Sequence, residues 1–232
     1  MQQAPFGGLF VIPVLQHVLM EIKIKTLFVG DIHGKLDIVE RALEQQYPVV
    51  FVGDIVDSFD KTIEEQLKCL ELIFEAIDKE KAQCLYGNHE LSYIHPQKMI
   101  CSGYKSAMQM HFNGGLKEKI ETRFKHFLFF EPNILITHAG LTAGLAKSDD
   151  ITKQLNEWVK DIYSPAYWIS RARGGIHSTG GIYWCDFNND FTPIPELIQI
   201  FGHTSGKTLR HIDQSFCIDY NDYSKEQFFF DV

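Results

Sequence analysis

The feature that most limits what this chain can become is a phrase written twice, TLFVGDIHG at 26–34 and VVFVGDIVD at 49–57. Each is a short apolar run rich in β-branched and aromatic residues that stops at Gly-Asp. That is the pattern of a buried strand running out into a loop. Between the two, KLDIVERALEQQ places Leu36, Val39 and Leu43 at helical spacing. After the second, TIEEQLKCLELIFEAIDKE sets Ile63, Leu67, Leu70, Phe74 and Ile77 on one stripe, with Thr62 and Glu65 spaced as a capping box. AQCLYG is a third strand candidate. Strand, helix, strand, helix, strand predicts an α/β fold with at least partly parallel pairing.

Further along, NILITH, IQIFG, SFCID and the terminal QFFFDV read as a second strand-rich half. DDITKQLNEWVKDIY reads as another helix with Ser148 as its cap. No low-complexity tract divides the chain, so 20–232 is expected to be a single domain. Its weakly periodic stretch near 91–130 is expected to be an insertion covering the site. Residues 1–19 are read as a peripheral appendage. The apolar LFVIPVLQHVLM at 9–20 is interrupted by Pro13, Gln16 and His17. It is too short to span a bilayer and lacks the charged start of a secretory signal. A formal charge of −8 argues against a nucleic-acid phosphate partner, which needs a basic face. The five widely spaced cysteines predict free thiols in a reducing, cytoplasmic compartment rather than a disulfide framework or a thiolate metal site.

In open α/β sheets ligands sit beyond the carboxyl ends of the strands. Here the strand candidates are followed by Asp31-Ile32-His33-Gly34, Asp54-Ile55-Val56-Asp57, Gly87-Asn88-His89-Glu90, His138-Ala139-Gly140 and Gly202-His203-Thr204. Singly, a Gly-Asp is a turn and a lone His is a hydrogen-bonded loop residue. Five in order, each at a strand end, point to one site. Asp31, His33, Asp54, Asn88, His138 and His203 offer mixed oxygen and nitrogen donors without thiolate, a set for Mn, Fe or Zn rather than Ca. The six exceed the needs of one tetrahedral ion and suit two ions sharing a carboxylate bridge. The repeated phrase is thus one strand-to-loop device used twice to bring Asp31 and Asp54 to a common centre.

Taken together, GDIHG, GDIVD, GNHE, THAG and GH resemble the calcineurin-like metallophosphoesterase superfamily, in the right order over most of the chain. The resemblance implies a central β-sandwich flanked by helices with a dimetal site at one edge. It implies that Asp31 and His33 bind the first metal, Asp54 bridges, and Asn88, His138 and His203 bind the second. His89 is then the general acid and Asp57 its orienting partner, and a metal-bridging hydroxide attacks phosphorus in line. Two divalent or trivalent ions are implied, Mn²⁺ in vitro, with Fe or Zn as alternatives.

Details of the motifs resemble the phosphoprotein-phosphatase branch, Ser/Thr phosphatase-like and of bacterial and phage type. Ser205 stands where many phosphodiesterase branches carry a second metal-binding His. That branch usually writes GDxVDRG, however, and here Ser58 replaces the phosphate-gripping Arg and Phe59 the Gly. Arg171 and Arg173, in YWISRARGG, are the candidate phosphate ligands, Arg173 preferred for its adjacent glycines, with Asn88 also facing phosphate; Lys105 is a weaker candidate. His95, His111, His126, His177 and His211 read as surface or structural, His177 with a place near the pocket. The expected activity is hydrolysis of phosphate monoesters, phosphorylated protein among them. The alternatives are a pyrophosphohydrolase acting on dinucleoside polyphosphates, a phosphodiesterase, and a metal-binding scaffold without turnover. The partner is then a phosphorylated protein or nucleotide, with no membrane.

Overall fold

The apolar runs pair into two sheets. The computed structural model describes residues 24–220 and 228–232, so the appendage expected at 1–19 lies outside the described residues. Strands β1 (Lys25–Val29), β2 (Val49–Phe51) and β3 (Ala82–Cys84) are parallel, with Leu27 opposite Val49 and Val49 opposite Ala82. Their connections carry α1 (Leu36–Leu43) and α2 (Ile63–Asp78). The second sheet holds β4 (Leu128–Phe130), β5 (Ile134–Ile136), β6 (Ile198–Phe201), β7 (Arg210–Ile212) and β8 (Ser215–Cys217), in the order β4-β5-β6-β8-β7. Strands β5, β6 and β8 are parallel to one another.

The terminal strand departs from the expectation that it belongs to the second half. β9 (Phe228–Asp231) pairs antiparallel with β1, Leu27 opposite Phe229. It satisfies the backbone of β1, which would otherwise be an open edge. Its side chains still join the two sheets, since Phe216 of β8 lies 5.4 Å from Phe228 and 5.9 Å from Phe230, ring centre to ring centre. One hydrophobic core runs through both sheets, from Phe28 and Val50 to Leu135 and Ile200.

The helices follow the local chemistry. α2 opens with the expected capping box: Thr62 Oγ1 accepts from the Glu65 amide at 3.1 Å, and Glu65 Oε2 accepts from the Thr62 amide at 2.8 Å. Its buried face is turned from the predicted stripe. Gln66, Cys69, Leu70, Ile73, Phe74 and Ala76 are buried, while Ile63, Leu67 and Ile77 are half-buried against the core. Gln66 goes inside because its Oε1 accepts the Asp57 amide at 2.8 Å. α6 (Ile151–Trp158) is capped by Asp150, not Ser148. The helix begins at Ile151, so Asp150 Oδ1 reaches the Lys153 amide at 2.9 Å, and Ser148 Oγ instead accepts the Asp150 amide. Between β3 and β4 lie α3 (Asn88–Ile94), α4 (Ser106–His111) and α5 (Lys117–Glu121). Tyr93 stacks between Tyr104 and Phe112, at 4.8 and 4.6 Å, and ties this segment together. Among the described residues no helix is long and apolar enough to cross a membrane. All five cysteines are free and buried.

His126 illustrates how a polar group inside this segment sets a pH limit. Its Nδ1 lies 2.6 Å from the Tyr183 hydroxyl and its ring stacks on Tyr86. Burial pushes its pKa down from 6.5 to about 4. The fold therefore holds the neutral ring, and the unfolded chain binds the proton more readily. Stability is full above about pH 6.5 and falls as pH drops toward 4, by up to about 3 kcal/mol from this group. Urea unfolding of His126→Gln measured from pH 7 to 4 should show a shallower loss than the native chain.

Candidate metal centre

The carboxyl ends of the parallel strands meet at one edge, and loop backbones lock them together. Glu90 makes the central lock. Its carboxylate, fully buried on the first turn of α3, accepts the amides of Asp54 (3.0 Å), Ile55 (2.8 Å), Val56 (3.1 Å) and Gly87 (3.0 Å). The loops after β2 and β3 are thereby one unit. Gly87 has to be glycine, because a Cβ there would collide with the Asp54 carboxylate. Across the sheets, the His203 amide donates to Asp31 Oδ1 at 3.0 Å; within each sheet, the His89 amide donates to Asp54 Oδ1 at 3.0 Å and the Gly202 amide to His138 O at 2.7 Å.

These contacts hold several site residues in a conformation that side chains rarely adopt. His33, Asp54, Asp57 and His203 have φ of 45°, 52°, 65° and 68°. Left-handed backbone costs a non-glycine residue about 1–2 kcal/mol, and it persists only where the surroundings impose it. Here it turns each strand end sharply enough to aim its side chain inward.

The side chains converge. His138 Nε2 lies 2.9 Å from Asn88 Oδ1, 3.2 Å from Asp54 Oδ2 and 3.2 Å from His203 Nδ1. Its Nδ1 lies 2.8 Å from the Val52 carbonyl, which requires the proton on that nitrogen. His33 is held the same way, Nδ1 to the Val56 carbonyl at 2.9 Å, with Nε2 3.9 Å from Asp31 Oδ2. One ligand atom each from Asp54, His138 and His203 lies within 4.8 Å of the others, and so does one each from His33, Asp54 and His89. Asp54 belongs to both groups. Cys101 orients the amide of Asn88: Sγ takes Asn88 Nδ2 at 3.1 Å, which leaves Oδ1 facing the cluster.

This arrangement fits cations. A neutral His138 would point an Nε2 lone pair at an amide oxygen, a carboxylate oxygen and another ring nitrogen, and only a proton or a metal ion between them resolves the repulsion. His203 Nε2 is buried without a partner. The titration behaviour agrees. Burial lowers the His138 pKa, but the Asp54 carboxylate outweighs it and raises the group to about 9. Burial and the neighbouring His138 and Arg173 charges push His203 well down. Burial, with the Asp219 and Asp54 carboxylates close by, lifts Asp31 well above its ordinary range. A chain of nitrogen and carboxylate-oxygen donors, buried and without thiolate, suits Mn, Fe or Zn.

A family model described as calcineurin-like phosphoesterase matches residues 24–227. The chain belongs to that family. The family is one of metal-dependent phosphoesterases that use two metals, as the motifs implied. Similar solved structures include a protein serine/threonine phosphatase from Saccharomyces cerevisiae with similarity to human phosphatase PP5. It is 17% identical with a TM-score of 0.37, over 51% of this chain and 38% of that one. Another is a metallophosphoesterase from Sphaerobacter thermophilus, 16% identical with a TM-score of 0.33, over 51% of this chain and 47% of that one. The alignments thus span less than half of either neighbour. No curated protein matches the chain.

The calcineurin-like site opens into a cleft of ≈ 640 Å³ whose wall includes Asp31, His33, Asp54, Asp57, Asn88, His89, Arg173 and His203. His138 lies fully buried behind it. Arg171 is exposed and outside this wall, and Lys105 is tied by its Nζ to the Ser58 carbonyl at 2.8 Å. His177 stacks on Trp168 rather than lining the cleft. Sequence reasoning gave no role to Glu90, Cys101 or Asp219. For Asp219 a signal existed, since it follows β8 as Asp31 follows β1. Ser205 Oγ donates to its Oδ2 at 2.7 Å.

Two outcomes test the centre. Asp54→Asn removes the shared carboxylate, and elemental analysis after loading with Mn²⁺ should find at most one ion where the native chain holds two. Glu90→Gln leaves two of the four loop amides facing an NH₂ group, which should cost on the order of 3 kcal/mol in urea unfolding. It should also weaken metal binding although Glu90 touches no ion.

Proposed function

We propose that this chain is a dimetal phosphatase that hydrolyses phosphate monoesters. The observation that carries the reading is the His89–Asp57 pair standing beside the shared Asp54. His89 Nδ1 lies 2.8 Å from Asp57 Oδ2, and its Nε2 lies 3.9 Å from Asp54 Oδ2, on the wall of the open cleft. Asp31, His33 and Asp54 would hold one ion, and Asp54, Asn88, His138 and His203 the other. When bound, the ions, Mn²⁺ by preference, would supply an acidified water and neutralise phosphate charge.

The protein's own groups do the rest. Asp57 is itself fixed, its Oδ1 accepting a short hydrogen bond from the Tyr93 hydroxyl and its amide held by Gln66. It therefore receives Nδ1–H of His89 and leaves Nε2 to face the substrate. Without ions, burial pulls the His89 pKa down, but the Asp54 and Asp57 carboxylates win and raise it to about 9. With Nδ1–H held by Asp57, a proton on Nε2 would be the one a general acid delivers to the departing oxygen. Arg173 lines the same cleft, its Nη2 donating to Thr204 Oγ1 at 2.8 Å and its Nε 2.9 Å from Asp186 Oδ2. These contacts pre-order its guanidinium to meet a phosphate oxygen, a service that Ser58 does not provide. Ser58 turns its hydroxyl to Asp60 at 2.8 Å. The segment after α3 adds Ile100, Cys101 and Ser102 to the cleft wall, consistent with an insertion that covers the site.

With Mn²⁺, the chain should cleave p-nitrophenyl phosphate faster than its bis-ester or a diadenosine polyphosphate; the reverse order would replace this reading with a diesterase or pyrophosphohydrolase. His89→Asn should lower kcat by about 10²-fold or more at unchanged metal content. Arg173→Ala should raise KM about tenfold, with Arg173→Lys in between.

A further inference from the structure

A phosphatase cleft has two sides, one for phosphate and one for the alcohol that leaves. Which side is which follows from the acid: the departing oxygen takes its proton from His89, so the body of the alcohol lies on the His89 side. The wall there is built by two short stretches of chain. Phe59 comes two residues after Asp57, which holds His89. Ile100 precedes Cys101, whose thiol holds the neighbouring Asn88. Both line the cleft, and both are large apolar side chains left in water, Phe59 at 83% and Ile100 at 65% of full exposure.

Single exposed apolar residues are ordinary, but two that line the reaction cleft offer it an unfilled contact surface. Ile169 and Trp184 add apolar wall to the same cleft. Of the charged residues near Phe59, Lys35 and Asp60 line the cleft with opposite signs. At ≈ 640 Å³ the cleft holds far more than a phosphoryl group.

We propose that Phe59 and Ile100 form a leaving-group subsite that selects phosphate monoesters whose alcohol carries an aromatic ring. The proposal rests on the reading of this centre as a monoesterase. A ring packed edge-on or stacked on Phe59, or resting on Ile100, gains contact that a small polar alcohol cannot make.

The test compares matched pairs, so that the basicity of the leaving oxygen does not decide the outcome. Turnover by the Mn²⁺-loaded protein is measured for 2-phenylethyl phosphate against ethyl phosphate. A nucleoside 5′-monophosphate against ribose 5-phosphate tells whether the ring is a nucleobase or a phenyl group. Binding of benzylphosphonate against methylphosphonate, by calorimetry, gives a readout independent of turnover. The aromatic member of at least one ester pair, and benzylphosphonate, should be favoured about tenfold. Phe59→Ala, at a position too exposed to disturb folding, should bring the ratio toward one, and Ile100→Ala should lower it partly. Equal use of both members with equal phosphonate binding overturns the subsite while leaving the phosphatase reading standing. A ratio unmoved by Phe59→Ala does the same. Failure to cleave any ester, together with failure to bind either phosphonate, overturns both.

Discussion

One buried carboxylate holds this site together. Glu90 gathers backbone amides from two loops that precede it in the chain, one 34–36 residues upstream and one three residues upstream. A charged group with no exposure is costly unless every lone pair is used, and these amides use them. The same bonds impose the left-handed turn at Asp54, on which the sharing of one carboxylate between two ligand groups depends. Loss of that turn would send the Asp54 side chain elsewhere and separate the two halves of the centre.

Around this clamp the protein assembles groups that repel one another in the absence of a cation. Asp31 and Asp54 crowd together, and His138 and His203 approach within 3.2 Å. Local interactions decide which atom of each group faces inward. The carbonyls of Val52 and Val56 take the Nδ1 protons of His138 and His33, and the Cys101 thiol turns the Asn88 amide. The second layer thus sets tautomers and amide orientation before any ion arrives, the usual way in which outer partners tune a metal site. Stability given up in strained backbone and like-charged neighbours would be returned as affinity for ions, and their binding would in turn support the fold.

The cleft is asymmetric. Arg173, anchored through Thr204 and Asp186, brings a guanidinium to its wall. The loop that begins at Asp57 runs through Ser58 to an exposed phenyl ring. Under the proposed reading the guanidinium would meet the phosphate and the ring the alcohol, so that each answers to a different part of one substrate.

The sequence by itself determined the strands, most of the helix boundaries and the polar residues at the strand ends. Strand ends are local events: an apolar run must stop at a polar turn, and Asp31, Asp54, Asn88, His138 and His203 could be read there directly. The capping box at Thr62 was legible for the same reason, since partner and donor are three residues apart. What only the tertiary structure decided is every interaction between distant segments. β9 left its expected half for the edge of β1, because an unpaired strand edge is satisfied by whichever segment can reach it. Gln66 moved inside to serve Asp57, Asp219 came to lie near Asp31, and Arg173 rather than Arg171 reached the cleft. Glu90 is the clearest case: its motif showed a carboxylate at a helix start, but three of its four amides come from another loop. Spacing along the chain encodes period and turn chemistry, whereas long-range partners are chosen by burial, which forces each hidden polar group to find whatever complement the packed chain brings within reach.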